Sequence, residues 1–260
     1  MNNKILLLIA IILCCILTIQ VTVYASENAY NWYCVRTKNH CQPKCEPDMG
    51  FIEKYNAFFI DKNHNDLCEE KQIYLTFDAG YENGNIERIL DILQSKNVPA
   101  AFFILDNLIK SNTDLVKRMS NEGHLVCNHT ASHKDMTKLH SIEEFDKELK
   151  KLEDIYREYT GCELGKYYRP PEGKFSEENL MFASELGYKT VFWSFAYADW
   201  DNNNQPSEQK ALKLICDNLH NGAVLLLHPT SETNANILSD LIDICRSEGY
   251  NFGTLDQLTA

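Results

Sequence analysis

The sequence carries little positive charge and shows no internal repeat or low-complexity tract. Its 25 lysines and arginines stand against 37 aspartates and glutamates, which gives a formal net charge of -12. Because binding to phosphates needs a basic surface, this deficit argues against a nucleic-acid partner and suits a neutral or carbohydrate-rich one. The 260 residues are enough for one large domain or two modest ones, and a single α/β barrel of this size is ordinary.

The chain begins with an apolar segment that is short for a membrane span. Residues 5–19 are almost wholly apolar after Lys4, and Val23-Tyr24-Ala25 offers a small-residue cleavage site. These features predict a secretory signal peptide at residues 1–25 and therefore an exported protein. A span needs roughly 20 apolar residues, and residues 20–23 extend the run far enough for a retained anchor. We expect membrane contact only if the segment is retained.

No cysteine spacing matches a zinc motif. Of the ten cysteines, two fall in the apolar leader, and the even number that remains permits disulfides outside the cytosol. Cys34, Cys41, Cys45 and Cys68 crowd ahead of the main fold, where disulfides, free thiols and a metal all stay open. The other cysteines lie among apolar residues, where a cysteine usually packs as a small hydrophobe.

From residue 71 onward, short β-rich runs alternate with amphipathic helical stretches. We predict strands at 72–78, 98–105, 124–128, 166–169, 189–195 and 223–228. We predict helices near 85–96, 113–121, 141–160, 176–186, 207–220 and 235–247. This alternation predicts an α/β fold with a mostly parallel sheet, either open or closed into a barrel. Ser141 and Glu144 form the pattern of a capping box at the start of the longest helix.

Residues 26–70 differ from the rest in having prolines, cysteines and only one apolar cluster, at 51–60. We interpret them as an N-terminal extension packed on a catalytic domain at 71–260.

The predicted strand at 72–78 ends on a carboxylate, Asp78, and turn residues follow at once. A carboxylate at the carboxyl end of a strand is a common catalytic placement in α/β folds. The next residue, Ala79, can do no chemistry.

Two histidines, His129 and His133, directly follow the predicted strand at 124–128. On a helical turn, a spacing of four residues points both rings the same way, which suits two ligands of one metal. The alternative is a pair of surface histidines in a loop.

A third histidine, His228, ends a run apolar enough to be a buried central strand. An imidazole at that exit is well placed for proton transfer near neutral pH, although it can equally be a strand terminus that bonds to the backbone. Asp199 follows another predicted strand. A buried carboxylate there can orient the His228 ring and stabilise its positive charge. Trp200 beside it suits either rim packing or stacking against a sugar ring.

Arg169 precedes two rigid prolines, Pro170 and Pro171. An arginine fork is suited to holding a carboxylate in place, and Asp78 is its expected partner. Taken alone, this segment also reads as a stiff turn between strand and helix. Because all these groups follow successive strands, they fall on one edge of the sheet and together indicate metal-assisted hydrolysis.

These segments, in their order, resemble the five motifs of the polysaccharide deacetylase family (NodB homology, carbohydrate esterase family 4). The motifs lie at 76–80, 129–133, 169–171, 199–200 and 225–228, and the resemblance covers residues 72 to about 258. Within the family, the chain is most similar to the delta-lactam-biosynthetic de-N-acetylases of spore cortex. The longer run 77–84, Trp32 and residues 38–40 and 42–43 carry that closer likeness.

The resemblance implies a distorted (β/α) barrel and a divalent metal, often zinc, on His129 and His133. It implies that Asp78 is the general base and that Arg169 holds it. The chain departs from the family pattern at Ala79, because most members have a second aspartate there as the third metal ligand. We therefore expect a metal with only two protein ligands, completed by water or substrate, that binds more weakly than in relatives with the aspartate.

The same resemblance implies that Asp199 tunes His228 as general acid. It assigns the oxyanion contact to the backbone N–H of Glu172 and the pocket for the acetyl methyl group to Leu226. The expected reaction is removal of the acetyl group from N-acetylmuramic acid in a peptidoglycan glycan strand, on the cell wall or spore cortex side of the membrane.

Two alternatives remain open. A deacetylase of N-acetylglucosamine residues in peptidoglycan, chitin or another acetylated polysaccharide would share all five motifs. A glycan-binding or scaffold protein without catalysis is the alternative of another class, for which Ala79 is the argument.

Overall fold

A curled, parallel sheet organises the part of the chain that the computed structural model describes, residues 29–33 and 35–260. The predicted signal segment 1–25 and Cys34 lie outside these residues. The described strands are β1 (Tyr30–Asn31), β2 (Ala57–Phe58), β3 (Lys71–Ala79), β4 (Ala101–Ile104), β5 (Leu125–Asn128), β6 (Gly165–Tyr168), β7 (Lys174–Phe175), β8 (Lys189–Val191), β9 (Ala223–Leu227) and β10 (Tyr250–Phe252).

Within the described residues, the main sheet has eight strands in the order β10-β3-β4-β5-β6-β8-β2, and β9 pairs with β3. Every strand pair in it is parallel. Past β8, an isolated bridge joins Phe195 to Leu225 of β9 and draws the two sides of the sheet together. The predicted distorted (β/α) barrel is thereby confirmed.

Helices cover the outside of the sheet. The described α-helices are α1 (Ile86–Lys96), α2 (Asp106–Ser111), α3 (Thr113–Asn121), α4 (Ile142–Thr160), α5 (Glu177–Glu185), α6 (Glu208–Asp217), α7 (Glu232–Ser247) and α8 (Leu255–Leu258). In the same described residues, three 3-10 helices lie at Pro47–Tyr55, Met136–Lys138 and Pro171–Gly173. At the start of α4, Ser141 accepts from the Glu144 N–H at 3.2 Å, which is one half of the predicted capping box.

Several elements differ from their predicted bounds: the strand predicted at 98–105 is confined to Ala101–Ile104, and the helix predicted at 207–220 ends at Asp217. Two other differences have a visible cause. The strand predicted at 189–195 ends at Val191, because Arg169 occupies the carbonyls of Val191 and Phe192 that a longer ladder would use. Helix α7 begins at Glu232, ahead of the predicted 235, because Ser231 caps it by accepting from the Asn234 N–H at 3.0 Å.

The two faces of β3 have different surroundings, as the period of two requires. Ile73, Leu75 and Phe77 belong to the apolar cluster that α1 and α7 complete. Thr76 lies on the opposite face and bonds to the Arg169 guanidinium at the barrel interior. This alternation carries Asp78 to the interior as well.

The segment before residue 71 is joined to the barrel at several points. Strand β2 pairs with β8, and β1 pairs with β7. Trp32 Nε1 donates to the Trp193 carbonyl at 2.8 Å. The division into 26–70 and 71–260 stays a prediction.

In the described part of the chain, no helix is both long and apolar enough to cross a bilayer. The thiols of the cysteines described there are all free.

Candidate active site

The predicted site residues meet at the carboxyl edge of the sheet. Asp78 is the residue before the last of β3, while His129, Arg169 and His228 directly follow β5, β6 and β9. They meet because the carboxyl ends of parallel strands lie at one edge. A cavity of about 780 Å³ opens there and is lined by Asp78, His129, His133, Glu172, Trp200, Leu226 and His228, among others.

Arg169 holds Asp78 from inside the barrel. Its Nη1 donates to Asp78 Oδ1 at 2.8 Å, and its side chain is fully buried. Its Nη2 donates to Thr76 Oγ1 at 2.9 Å, and its Nε to the Val191 carbonyl at 2.8 Å. The guanidinium also lies 4.1 Å from the centre of the Phe103 ring. Fixed at so many points, the arginine fixes the carboxylate in turn.

The charge of Asp78 is set by two opposed effects. Burial alone would raise the pKa of its carboxyl, but Arg169, followed by His129 and His228, outweighs burial and holds that pKa below its usual range. The carboxylate is therefore ionised at neutral pH and can accept a proton. Its Oδ2 is 3.6 Å from His129 Nε2, on the side away from the arginine.

The donor chemistry of His129 and His133 fits a divalent metal. Nδ1 of His129 lies 2.9 Å from the Arg169 carbonyl, which can only accept, so this nitrogen carries the proton and Nε2 keeps a free lone pair. Burial lowers the pKa of His129 to about 4 and keeps the ring neutral. The two imidazole centroids are 5.0 Å apart.

The loop that holds this pair is strained. Thr130 and His133 have φ angles of 72° and 54°, and left-handed backbone is unusual for a β-branched residue. The His133 N–H donates to Thr130 Oγ1 at 2.9 Å, and the Thr130 N–H to Asn128 Oδ1 at 2.8 Å. Such strain persists where the surroundings impose it, and it is concentrated at functional sites.

Position 79 supplies no further ligand. Ala79 is fully buried and belongs to the same apolar cluster as Ala131, which lies between the two histidines in the sequence. Nowhere in residues 29–33 and 35–260 do three His, Cys, Asp or Glu side chains form a group that could hold a metal.

Asp199 positions His228 with both carboxylate oxygens. Oδ1 lies 2.7 Å from His228 Nδ1, and Oδ2 accepts from the His228 backbone N–H at 2.8 Å. Burial alone would lower the pKa of His228, but the hydrogen bond and charge of Asp199 outweigh burial and raise it. The ring is thereby favoured in its protonated form, with Nε2 left to donate.

The remaining predicted residues form the walls of the cavity. Glu172 has a left-handed backbone (φ 56°) in the turn after Arg169, and its carboxylate pairs with Lys174 at 2.6 Å, so its backbone is what the turn presents to the site. Leu226 is buried in the cavity wall. Trp200 is 61% exposed, with its ring 6.2 Å from that of His228, and offers a stacking surface at the rim.

Sequence reasoning missed three residues of this site. Thr76 accepts a hydrogen bond from Arg169. The sequence could have indicated this residue, because Thr76 lies two positions before Asp78 and both side chains therefore lie on one face of β3. Asn234 donates to Asp199 Oδ2 at 2.6 Å and to the His228 carbonyl at 3.1 Å. No pattern in the sequence predicts this role for Asn234. Tyr81, in the turn after β3, is 45% exposed and lines the cavity.

The arrangement provides the parts of a hydrolytic site. The ionised carboxylate of Asp78 and the imidazole of His228, whose pKa is raised, face one cavity, the imidazoles of His129 and His133 lie beside them, and apolar side chains form part of the wall. Such a set can accept a proton from water and deliver one to a leaving group.

Comparison with known proteins identifies the family. Residues 67–191 match the polysaccharide deacetylase family model. Over 229 residues the chain is 39% identical to the peptidoglycan-N-acetylmuramic acid deacetylase PdaA of Bacillus subtilis, which covers 88% of this chain and 85% of the relative. It is 31% identical to a peptidoglycan-N-acetylglucosamine deacetylase of Bacillus cereus, over 81% of this chain and 74% of the relative.

Among solved structures, that of Bacillus subtilis PdaA, a family 4 carbohydrate esterase, superimposes with a TM-score of 0.83 and 38% identity, covering 89% of this chain and 97% of that one. The chain belongs to the polysaccharide deacetylase family, whose deacetylases are metal-dependent hydrolases of N-acetyl amide bonds.

Proposed function

We propose that this chain removes the acetyl group from N-acetylmuramic acid in peptidoglycan glycan strands, on the route to the muramic delta-lactam of spore cortex. The observation that carries the proposal is the pairing of two proton-transfer groups across one cavity, Asp78 held by Arg169 and His228 held by Asp199. The likeness to a relative named for N-acetylmuramic acid supports the choice of substrate.

In the proposed reaction, Asp78 takes a proton from the water that attacks the acetamide carbon. The backbone N–H of Glu172 stabilises the developing oxyanion, and Leu226 contacts the acetyl methyl group. His228 then gives its proton to the nitrogen as the C–N bond breaks, so the products are acetate and a free amine. A divalent metal, with zinc as the expected ion, held by His129 and His133, would polarise the acetamide carbonyl.

The proposal places the protein outside the cytoplasm, on the cell wall or spore cortex side of the membrane. The predicted signal segment supports that location, because peptidoglycan lies there. Trp200 at the rim would stack against a sugar ring of the strand.

The test is acetate release from cortex-type glycan stripped of its peptides, with purified, metal-loaded protein. We expect Asp78→Asn and His228→Ala each to lower the rate by about 10²–10⁴-fold, the usual range for loss of an acid or base. Asp240→Asn and His140→Ala serve as matched controls, since both residues are exposed and neither lines the cavity. Full activity of either site variant would overturn the mechanism.

A substrate panel separates the alternatives. Activity on chitin oligomers or acetylxylan without activity on muramic glycan would assign the N-acetylglucosamine type of deacetylase. Glycan binding by the metal-loaded protein without acetate release from any substrate would assign a binding or scaffold protein.

A further inference from the structure

A buried hydrogen-bond network continues from the Asp199–His228 pair into helix α7. Asn234 is the third residue of that helix, and its Nδ2 donates to Asp199 Oδ2 at 2.6 Å and to the His228 carbonyl at 3.1 Å. The hydroxyl of Tyr197 donates to Asn234 Oδ1. Asn234 and Tyr197 are both buried, and neither has a part in the chemistry described above.

The partners of the Asn234 amide fix which way it faces. The Asp199 carboxylate and the His228 carbonyl can only accept, so Nδ2 must point to them and Oδ1 is left for the Tyr197 hydroxyl. Burial, followed by the charge of Asp199, raises the pKa of Tyr197, so its hydroxyl keeps the proton that it donates. If the amide turned over, two acceptors would face each other at Asp199.

Asp199 needs a partner that is independent of the ring it orients. Its carboxylate is fully buried, and it contacts Nδ1 and the backbone N–H of His228. Both of these contacts belong to the histidine itself, so they leave the pair free to shift together. The Asn234 amide adds a donor that belongs to helix α7.

The position of Asn234 is itself well fixed. Its backbone N–H donates to the capping Ser231 Oγ at 3.0 Å, and helix α7 packs against α1 and α6. A side chain on a packed helix holds its partner more exactly than one on a loop. Asn234 therefore connects Asp199, which lies in a loop, to the rigid part of the fold.

We propose that Asn234 and Tyr197 are positioning residues for the deacetylation. The Asn234 amide holds the Asp199 carboxylate with Oδ1 against His228 Nδ1, and the Tyr197 hydroxyl keeps that amide in the required orientation. The inference rests on the proposed function, in which His228 gives its proton to the leaving nitrogen. Without the amide, the carboxylate turns to other donors, and the ring loses the partner that orients it and favours its protonated form.

The titration of His228 can report this contact. The charged groups that act on its imidazole are Asp199, Asp78 and Arg169. Asp78 and Arg169 belong to β3 and to the turn after β6, so a change at Asn234 leaves both in place. A lower pKa of His228 in a variant at Asn234 therefore measures a weaker contact with Asp199.

The first test separates kcat from KM in acetate release by purified, metal-loaded protein. We expect Asn234→Ala to lower kcat by about 10–100-fold, the effect of losing a hydrogen bond to a charged group, and to leave KM within about twofold. Tyr197→Phe keeps the ring and removes one hydrogen bond, so we expect a loss in kcat of about fivefold.

Two matched controls change similar groups away from His228. Asn236→Ala removes an exposed amide of the same helix, which bonds to Arg88 and Glu208. Tyr156→Phe removes a buried hydroxyl that bonds to Ser120 Oγ at 2.7 Å. Both controls are expected to keep kcat and KM, and thermal unfolding shows that every variant is folded.

The second test follows His228 itself by NMR in metal-free protein with ¹⁵N-labelled histidine, and the spectrum of His228→Ala assigns its signals. We expect Asn234→Ala to move the midpoint of the His228 titration to lower pH by about half a unit or more, roughly threefold in the protonation equilibrium. The midpoint in Asn236→Ala should equal that of the parent protein.

The inference would be overturned if Asn234→Ala lowered thermal stability but left kcat and the His228 midpoint as in Asn236→Ala. A higher KM with unchanged kcat in Tyr197→Phe would make Tyr197 a substrate contact and remove its positioning role. Failure of the proposed function gives a different result, since the parent protein then releases no acetate from any glycan. The NMR titration needs neither metal nor substrate, so it still decides whether Asn234 positions the Asp199–His228 pair.

Discussion

At the residue scale, the site depends on what each side chain can bond to at the end of its strand. Asp78 and Ala79 are neighbours on β3, yet one bonds to a buried arginine and the other packs in an apolar cluster. The carboxylate stays charged although it is buried, because Arg169 compensates for the lost hydration.

The absent carboxylate at position 79 gives a prediction about metal affinity. We expect Ala79→Asp to tighten metal binding at least tenfold, since a carboxylate would add a third ligand to His129 and His133. Competition of the purified protein with a chelator of known affinity measures the change. Ala79→Asn is the neutral control for the added volume. Equal affinities of the parent and Ala79→Asp proteins would show that position 79 does not reach the metal.

The Asp199–His228 pair gives a prediction about pH. Asp199 raises the pKa of His228, and the acid works only while it is protonated, so activity is lost as pH rises through that raised pKa. Asp199→Asn removes the charge and lowers the pKa, and we expect the alkaline limb of the rate profile to move to lower pH.

Rate measurements across pH with saturating glycan check this shift. Asp201→Asn, an exposed change in the same loop, should leave the limb in place. An alkaline limb that does not move in Asp199→Asn would mean that another group supplies the proton.

At the element scale, a short turn sets the direction of the Glu172 N–H. The turn Pro171–Gly173 follows β6 directly, and Gly173 has a φ of 67°. A Cβ at Gly173 would lie 2.8 Å from Trp193 Cη2 and 3.1 Å from Trp32 Cβ. Glycine is required here both by the backbone angle and by the approach of two aromatic residues.

We therefore expect Gly173→Ala to lower the free energy of unfolding by about 2–4 kcal/mol, the sum of backbone strain and overpacking, and to reduce activity as the turn shifts. Gly187→Ala is the matched control, because Gly187 has a φ of 79° but no atom within 4 Å of its Cβ position. Denaturant unfolding and acetate release measure both effects. Equal losses in the two variants would assign the whole effect to backbone strain.

At the scale of the whole molecule, the segment before residue 71 contributes to the fold of the barrel. Ile52, Phe59 and Ile60 are buried, and Trp32 stacks on Phe192 with ring centroids 4.5 Å apart. Strand β2 supplies the neighbour of β8, which would otherwise be an open edge.

We expect the free energy of unfolding of a chain that starts at Lys71 to be lower by more than about 3 kcal/mol than that of a chain that starts at Ala29. About 3 kcal/mol is the lower end of the range for truncation of a single buried tryptophan side chain. Thermal unfolding followed by circular dichroism compares the two. If the shorter chain unfolded cooperatively at the same temperature, residues 26–70 would be a dispensable extension.

The sequence by itself determined the alternation of strands and helices, because the spacing of apolar residues along the chain is a local property. It also determined which residues stand at the strand ends, such as Asp78, Arg169 and His228. Only the tertiary structure decided which groups bond across the sheet. Asn234 and Asn202 lie far from their partners in the chain, and their contacts with Asp199 and Tyr81 arise when loops after different strands meet at one edge. The early end of β8 has the same origin, since a guanidinium from the next strand in the sheet takes the carbonyls of Val191 and Phe192.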